Sequence, residues 1–369
     1  MRKFVMMAAV VALAGTMGLA QGRQGGAGPG GAGQPQGRQG GQGRQAGAPD
    51  ARTVRGGVES GGPNLDNVEI KSLRVQGNVW MLVGGFVNAA VQIGDDGVLV
   101  VDTMVEPLAD KVIAEVKKLA GDKPIRYIVN THFHPDHTGG NLKVTEAGQS
   151  IVGGNFAGQV GAAAADAAFI YAHENTLNRM SMPDPGQQPR PFKSWPTDTF
   201  FLDEKDIYFN GEAVQMIHVR NAHTDGDVMV YFRKSDVLVA GDLYINTTFP
   251  VIDMAHGGNL NGILAALNRM IDITVPKEKQ EGGTYVIPGH GRLADEADVV
   301  EYRDMNTILR DRFQDAVKKG MTLEQVRAAK LVRDYEGRYG ATTGFWTTDA
   351  FIEAAYKSVS QPGRTVSQK

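Results

Sequence analysis

The sequence predicts an α/β protein in which two β-sheets pack face to face with helices on the outside. Two observations carry this expectation. Hairpin patterns come first, a helix and a mixed series follow, and hairpins and helices return further on. Each sheet or helix has an apolar face to bury, and stacking such elements in layers is how a chain of this pattern buries them.

Order begins near Leu65. Residues 68–75 and 78–83 alternate apolar and polar side chains around Gln76-Gly77, as a hairpin requires. Residues 89–93 and 98–101 flank Gly94-Asp95-Asp96-Gly97, a second hairpin. Leu108, Val112, Ile113, Val116 and Leu119 recur at helical spacing over 107–119, with Pro107 in the first turn. Residues 125–129 form a buried strand that runs into Asn130-Thr131-His132. Residues 148–168, rich in Gly and Ala, read as an inserted loop plus a short helix. A strand resumes at 169–173 and a helix at 174–180, and the Pro-rich stretch 182–196 reads as a loop over a cleft. Strands return at 207–209, 213–219, 228–232 and 237–240, followed by a helix at 261–270 and a strand at 285–287. Beyond Ala294 the pattern is helical. The expected organisation is a main domain over 65–295 and a helical extension over 296–369 packed on it.

The residues ahead of Leu65 read differently. Arg2 and Lys3 precede a mostly apolar run to Leu19, and Gly18-Leu19-Ala20 suits a signal peptidase, so residues 1–20 are expected to be a signal peptide. Residues 21–64 are Gly, Gln, Pro, Ala and Arg with almost no large apolar side chain. They cannot offset their own chain entropy and are expected to form a disordered linker. These features imply an exported protein, periplasmic or secreted, with no membrane insertion after cleavage. The chain has no Cys, so disulfides cannot hold it together and a sizeable core must. A formal net charge of -3 gives no electrostatic case for nucleic acid, leaving a small molecule as the expected partner.

The stretch Thr131-His-Phe-His-Pro-Asp-His-Thr-Gly-Gly140 carries the chemistry. It follows a buried strand, where loops display functional groups on a rigid base. Residues two apart in extended chain face the same way, so His132 and His134 can close on one metal ion, while Asp136 and His137 suit a second. Three imidazoles and a carboxylate within six residues are too costly to hold together without a cation. One loop cannot complete two coordination shells. His223, Asp242 and His290, each read as lying past the end of a strand and beside or near Gly, are the expected remaining ligands.

The order H-x-H-x-D-H, then His, then Gly-Asp, then Gly-His-Gly resembles the metallo-β-lactamase superfamily over roughly residues 68–293. The resemblance implies an αββα four-layer sandwich. It also implies two Zn²⁺ per chain, iron or manganese being compatible with the same donors. His132, His134 and His223 would hold the first metal, Asp136, His137 and His290 the second, with Asp242 bridging. Asp102 matches an aspartate that supports the His loop and orients ligands. The implied reaction is hydrolysis of an ester, lactone, thioester or amide by a metal-bound hydroxide that Asp136 orients. The well-known broad-spectrum lactamases carry Cys where this chain has Asp242, and a Lys shortly after it. Neither is present here, which points away from lactams and towards esterase-like members.

Two further members of the superfamily are alternatives: a true β-lactamase, and a sulfur dioxygenase with a single iron. A metal-binding adhesion protein that works through the Gly/Gln-rich arm is another. Among the remaining residues, Tyr244, Asn246 and His256 are candidates for substrate contacts. His218 and His173 read as structural. The helical C-terminal part could cap the cleft or form a homodimer face.

Overall fold

The computed structural model describes residues 65–150, 167–280 and 282–360. The expected signal peptide, the expected linker and most of the expected 148–168 insertion lie outside the described residues. Thirteen strands and nine α-helices are described. The strands are β1 (Lys71–Gln76), β2 (Val79–Gly84), β3 (Val87–Gly94), β4 (Gly97–Val101), β5 (Ile125–Val129), β6 (Phe169–His173) and β7 (Asp198–Phe200). They continue with β8 (Glu204–Phe209), β9 (Glu212–Val219), β10 (Asp227–Phe232), β11 (Val237–Ile245), β12 (Tyr285–His290) and β13 (Ala294–Asp295). The helices are α1 (Ala109–Ala120), α2 (Pro135–Thr138), α3 (Asn141–Glu146), α4 (Glu174–Ser181), α5 (Leu260–Ile273), α6 (Glu296–Lys318), α7 (Leu323–Ala329), α8 (Arg333–Tyr339) and α9 (Thr348–Ser360).

β1 to β7 form one sheet in sequence order, antiparallel as far as β4 and parallel from β4 to β7. The second sheet runs β13-β12-β11-β10-β9-β8, with only the β11–β12 pair parallel. Side chains alternate faces along a strand, and the burial follows that period. Leu99 and Val101 of β4 join Val237 and Val239 of β11 in a core between the sheets. Val98 and Val100 turn the other way and pack with Val112 and Val116 of α1. Leu238 and Ala240 face outward from β11 onto Ile263 and Leu267 of α5. Three apolar layers between four layers of structure make the αββα sandwich. The C-terminal helices share the outer core of the second sheet through Tyr302, Leu309, Phe313 and Phe351. Among the described residues, no helix is long and apolar enough to cross a membrane.

The structure corrects several element boundaries. The strand expected at 68–75 begins only at Lys71, and helix α1 is preceded by a short 3-10 turn over Glu106–Leu108. The edge strands β7 and β13 are three and two residues long, too short to carry a periodic signal. β11 extends to Ile245, so Asp242 lies inside the strand rather than after it.

Candidate metal centre

The H-x-H-x-D-H loop leaves β5 in extended backbone and then turns. Pro135 opens the four-residue helix α2, its fixed φ suiting the first helical position. Asp136 and His137 therefore sit on a helical turn, while His132 and His134 precede it. His223 lies between β9 and β10, Asp242 within β11, and His290 is the last residue of β12. The parallel pairing of β11 with β12 sets Ile245 opposite His290 and brings both segments to one sheet edge.

The seven residues gather into two groups that share Asp242. His132, His134, His223 and Asp242 form one. Asp136, His137, Asp242 and His290 form the other, and in each group the donor atoms lie within 4.8 Å of one another. Asp242 divides its oxygens between them. Oδ2 is 3.6 Å from His223 Nε2 and 3.9 Å from His132 Nε2. Oδ1 is 3.2 Å from His137 Nε2 and 3.3 Å from His290 Nε2. Ligands held 2.0–2.1 Å from one tetrahedral zinc stand roughly 3.3 Å apart, so these separations suit a shared cation.

The ring nitrogens decide whether the donors fit a metal. Each imidazole commits its outer nitrogen to an acceptor. His137 Nδ1 donates to Asp102 Oδ2 at 2.7 Å, His134 Nε2 to Asp253 Oδ2 at 2.9 Å, and His223 Nδ1 to the Val251 carbonyl at 2.8 Å. His290 Nδ1 donates to the Phe86 carbonyl at 2.6 Å. His132 Nδ1 meets Thr131 Oγ1 at 3.1 Å, and that hydroxyl donates to Asp102 at 2.7 Å, so the ring is the donor here too. Each outer nitrogen thereby fixes a tautomer whose inner nitrogen faces the cluster, where His223 Nε2 and His134 Nδ1 stand 2.9 Å apart. Among the described residues His132 Nε2, His137 Nε2 and Asp242 Oδ1 are buried without a hydrogen-bond partner, the arrangement that metal ligation resolves.

Asp102 ties the loop together. Besides His137 and the Thr131 hydroxyl, it accepts from the Thr131 backbone N–H at 2.8 Å. It holds φ at 61°, a left-handed conformation that an Asp tolerates better than most side chains.

The charges point the same way. Burial would lower His290 and His137, yet Asp242 and Asp136 outweigh it. They raise His290 to about 10 and His137 well above its usual value. Burial would raise Asp242 and Asp136, yet His290 and His137 hold both carboxyls well below their usual range. In the other group, burial and the neighbouring imidazoles push His132 well below its usual value. A pocket rich in carboxylate and neutral imidazole demands positive charge, and a divalent cation supplies it without protonating the rings.

Two residues near the centre carry no motif in the sequence. Buried Asp253 holds His134 and, at 2.6 Å, His256 Nδ1. Asn88 Nδ2 donates to the carbonyls of Pro288 and Gly291 at 2.9 and 3.0 Å, bracketing His290.

The expected substrate contacts divide. His256 reaches a cavity beside the metal loop. Tyr244 does not: it is 1% exposed and packs edge-on against Tyr302 in the outer core. Asn246 spends both amide atoms on the Arg292 backbone, securing the turn after His290. His218 and His173 stack on each other, ring centroids 3.6 Å apart, away from the cluster.

A family profile described as the metallo-beta-lactamase superfamily matches residues 82–290, more than half of the chain. The chain belongs to the metallo-beta-lactamase superfamily. A linear primary-alkylsulfatase from Pseudomonas sp. (strain ATCC 19151) is 25% identical over 272 residues, covering 63% of this chain and 47% of that protein. The alpha subunit of a 2,4-dinitroanisole O-demethylase from Nocardioides sp. (strain JS1661) is 26% identical over 181 residues, 48% of each chain. This superfamily member thus spans about half the length of the curated relatives it matches. A stereoselective inverting sec-alkylsulfatase from Pseudomonas sp. shares the fold at a TM-score of 0.51 and 17% identity, over 78% of this chain and 50% of that one.

Proposed function

We propose that this chain is a metal-dependent hydrolase, zinc being the default metal, that cleaves an ester or a related carboxyl derivative in a small molecule. One observation carries the reading: five imidazoles turn their inner nitrogens onto two spaces that share the Asp242 carboxylate, those of His132 and His137 being buried without a hydrogen-bond partner. Bound there, a metal pair would supply Lewis acidity to the scissile group and lower the pKa of water to about 7. His132, His134 and His223 would hold one ion, Asp136, His137 and His290 the other, and Asp242 both. Asp136 is the most open ligand, its side chain 17% exposed. Its carboxylate is in reach of an incoming water, accepting that water's hydrogen bond and aiming its lone pair at the electrophile. Asp102 and Asp253 keep the imidazoles in register while charge develops.

A carboxylate in place of a thiolate at Asp242, in a chain without Cys, argues against the lactam specialists. A second reading, hydrolysis of an alkyl sulfate ester, is favoured by the alkylsulfatase relative. The test is metal analysis combined with a panel of p-nitrophenyl esters, lactones, thioesters, alkyl sulfates and a chromogenic cephalosporin. Ester or sulfate turnover that disappears, together with metal, in His132→Ala/His134→Ala is the expected result. Faster turnover of the cephalosporin than of any ester would overturn it. So would a single iron with oxygen uptake on a persulfide.

A further inference from the structure

A cavity of about 220 Å³ adjoins the metal loop. Phe133 and Pro135 form one wall. Met180 and Met182, at the end of α4, form another with Pro183. His134 belongs both to this cavity and to the first metal group. The segment over 182–195 that closes it is fastened to the metal loop. The Arg190 guanidinium donates to the Phe133 carbonyl at 2.6 Å and to the Thr138 hydroxyl, and its backbone N–H donates to Met180 O at 3.2 Å. Trp195 Nε1 donates to Arg190 O at 2.9 Å, and Asn141 Nδ2 to Ser194 O at 3.0 Å. His256 Nε2 pins Asp184 at 3.2 Å.

We propose that this cavity is the subsite for an unbranched aliphatic tail on the substrate. Its charged groups are already engaged. Arg179 holds Asp225 at 2.6 Å, His256 lies between Asp253 and Asp184, and Arg190 serves the loop. The remaining wall is apolar apart from the Gln187 and Gln188 amides, and two of its members are thioethers, whose flexible, polarizable chains adapt to an alkyl ligand. The volume holds about half a dozen methylene-sized groups at ~30 Å³ each, one water's share of the liquid. Pro135, which lines the cavity, directly precedes Asp136, so the cavity opens along the metal loop. For its reaction the proposal rests on the hydrolase reading; for its cavity it does not.

The test uses the full chain, p-nitrophenyl esters from acetate to octanoate, and calorimetric binding of 1-hexanol against ethanol. Burial predicts kcat/KM rising about threefold to fourfold per methylene up to hexanoate and levelling beyond. Met182→Ala removes a side chain that is 67% exposed, so the fold survives. This change and Phe133→Leu should each cut the hexanoate-to-acetate ratio about tenfold and weaken hexanol binding. An unchanged ratio with unchanged hexanol binding in both variants overturns the subsite. Ester turnover that is flat across the series also sinks the subsite while leaving the hydrolase reading standing. Hexanol binding that the variants weaken, without turnover of any ester, keeps the subsite and removes the hydrolase reading.

Discussion

Gly289 stands where any side chain would strike the shared carboxylate. A Cβ built there would lie 2.0 Å from Asp242 Oδ1 and 2.8 Å from the Gly241 carbonyl carbon. Contacts under 3.0 Å are essentially never seen for real Cβ atoms, so Gly289→Ala requires Asp242 Oδ1 to retreat by about 1.0 Å (3.0 less 2.0). The backbone itself accepts Ala, because Gly289 is a β12 residue and has no positive φ. The larger clash is therefore with Asp242, and the smaller one with the Gly241 backbone. Ligand distances in metal sites tolerate about ±0.2 Å, and a misplacement of ~1 Å at a reacting centre costs on the order of 100-fold. The variant should fold, as judged by circular dichroism and thermal unfolding. It should lose metal, chiefly from the group that uses Oδ1, and lose about 100-fold in kcat/KM. Parent-level metal content and kcat/KM in a folded Gly289→Ala protein would refute both the shared role of Asp242 and the reasoning that places it.

Other outcomes follow from the same geometry. Asp253→Asn should weaken metal binding about 10–100-fold, because His134 loses a charged acceptor at 2.9 Å; a competitive chelator titration measures it. Stripping the metal should lower the unfolding temperature by roughly 5–15 °C. A ligand at a thousand times its Kd is worth about 4 kcal/mol to the folded state, and readdition of zinc should restore it. Burial, and then the adjacent His218, pull His173 down to about 4. In the unfolded chain a His titrates near 6.5. The unfolded state therefore takes up the proton first as pH falls. The stability linked to this group is whole above pH ~6.5 and declines towards pH ~4. Urea midpoints at pH 7.5 and 4.5 should differ less in His173→Phe than in the parent. An equal difference would rule out this linkage.

Much of the site is legible because its donors sit in local patterns. His132, His134, Asp136 and His137 are contiguous, and His290 is framed by glycines after a Val/Ile-rich strand. Asp253 was invisible for the opposite reason: its partner His134 is 119 residues away, and only folding joins them. Tyr244 sits in the core although its sequence neighbour Asp242 faces the site. It lies two residues past Asp242, and regular alternation would turn both the same way. But the β11–β12 register shifts on either side of Gly241, which has φ 53°, so the alternation fails and Tyr244 enters the core. The strands of the inner core were readable because burial on both faces leaves unbroken Val and Ile runs. β7 and β13 were not, because three-residue and two-residue pairings leave no such run.

The cluster that gathers around Asp242 is made wholly of nitrogen and oxygen atoms, in a chain without a single thiol. Soft ions such as copper(I) find no sulfur anchor among those donors, and alkylating or peroxide reagents find no thiolate to consume. Oxidant reaching this face would meet Met182 instead, a residue that is 67% exposed. A sulfoxide there would make that wall polar and leave the ligands intact. Chemical damage would then register as altered selectivity long before it registered as lost metal.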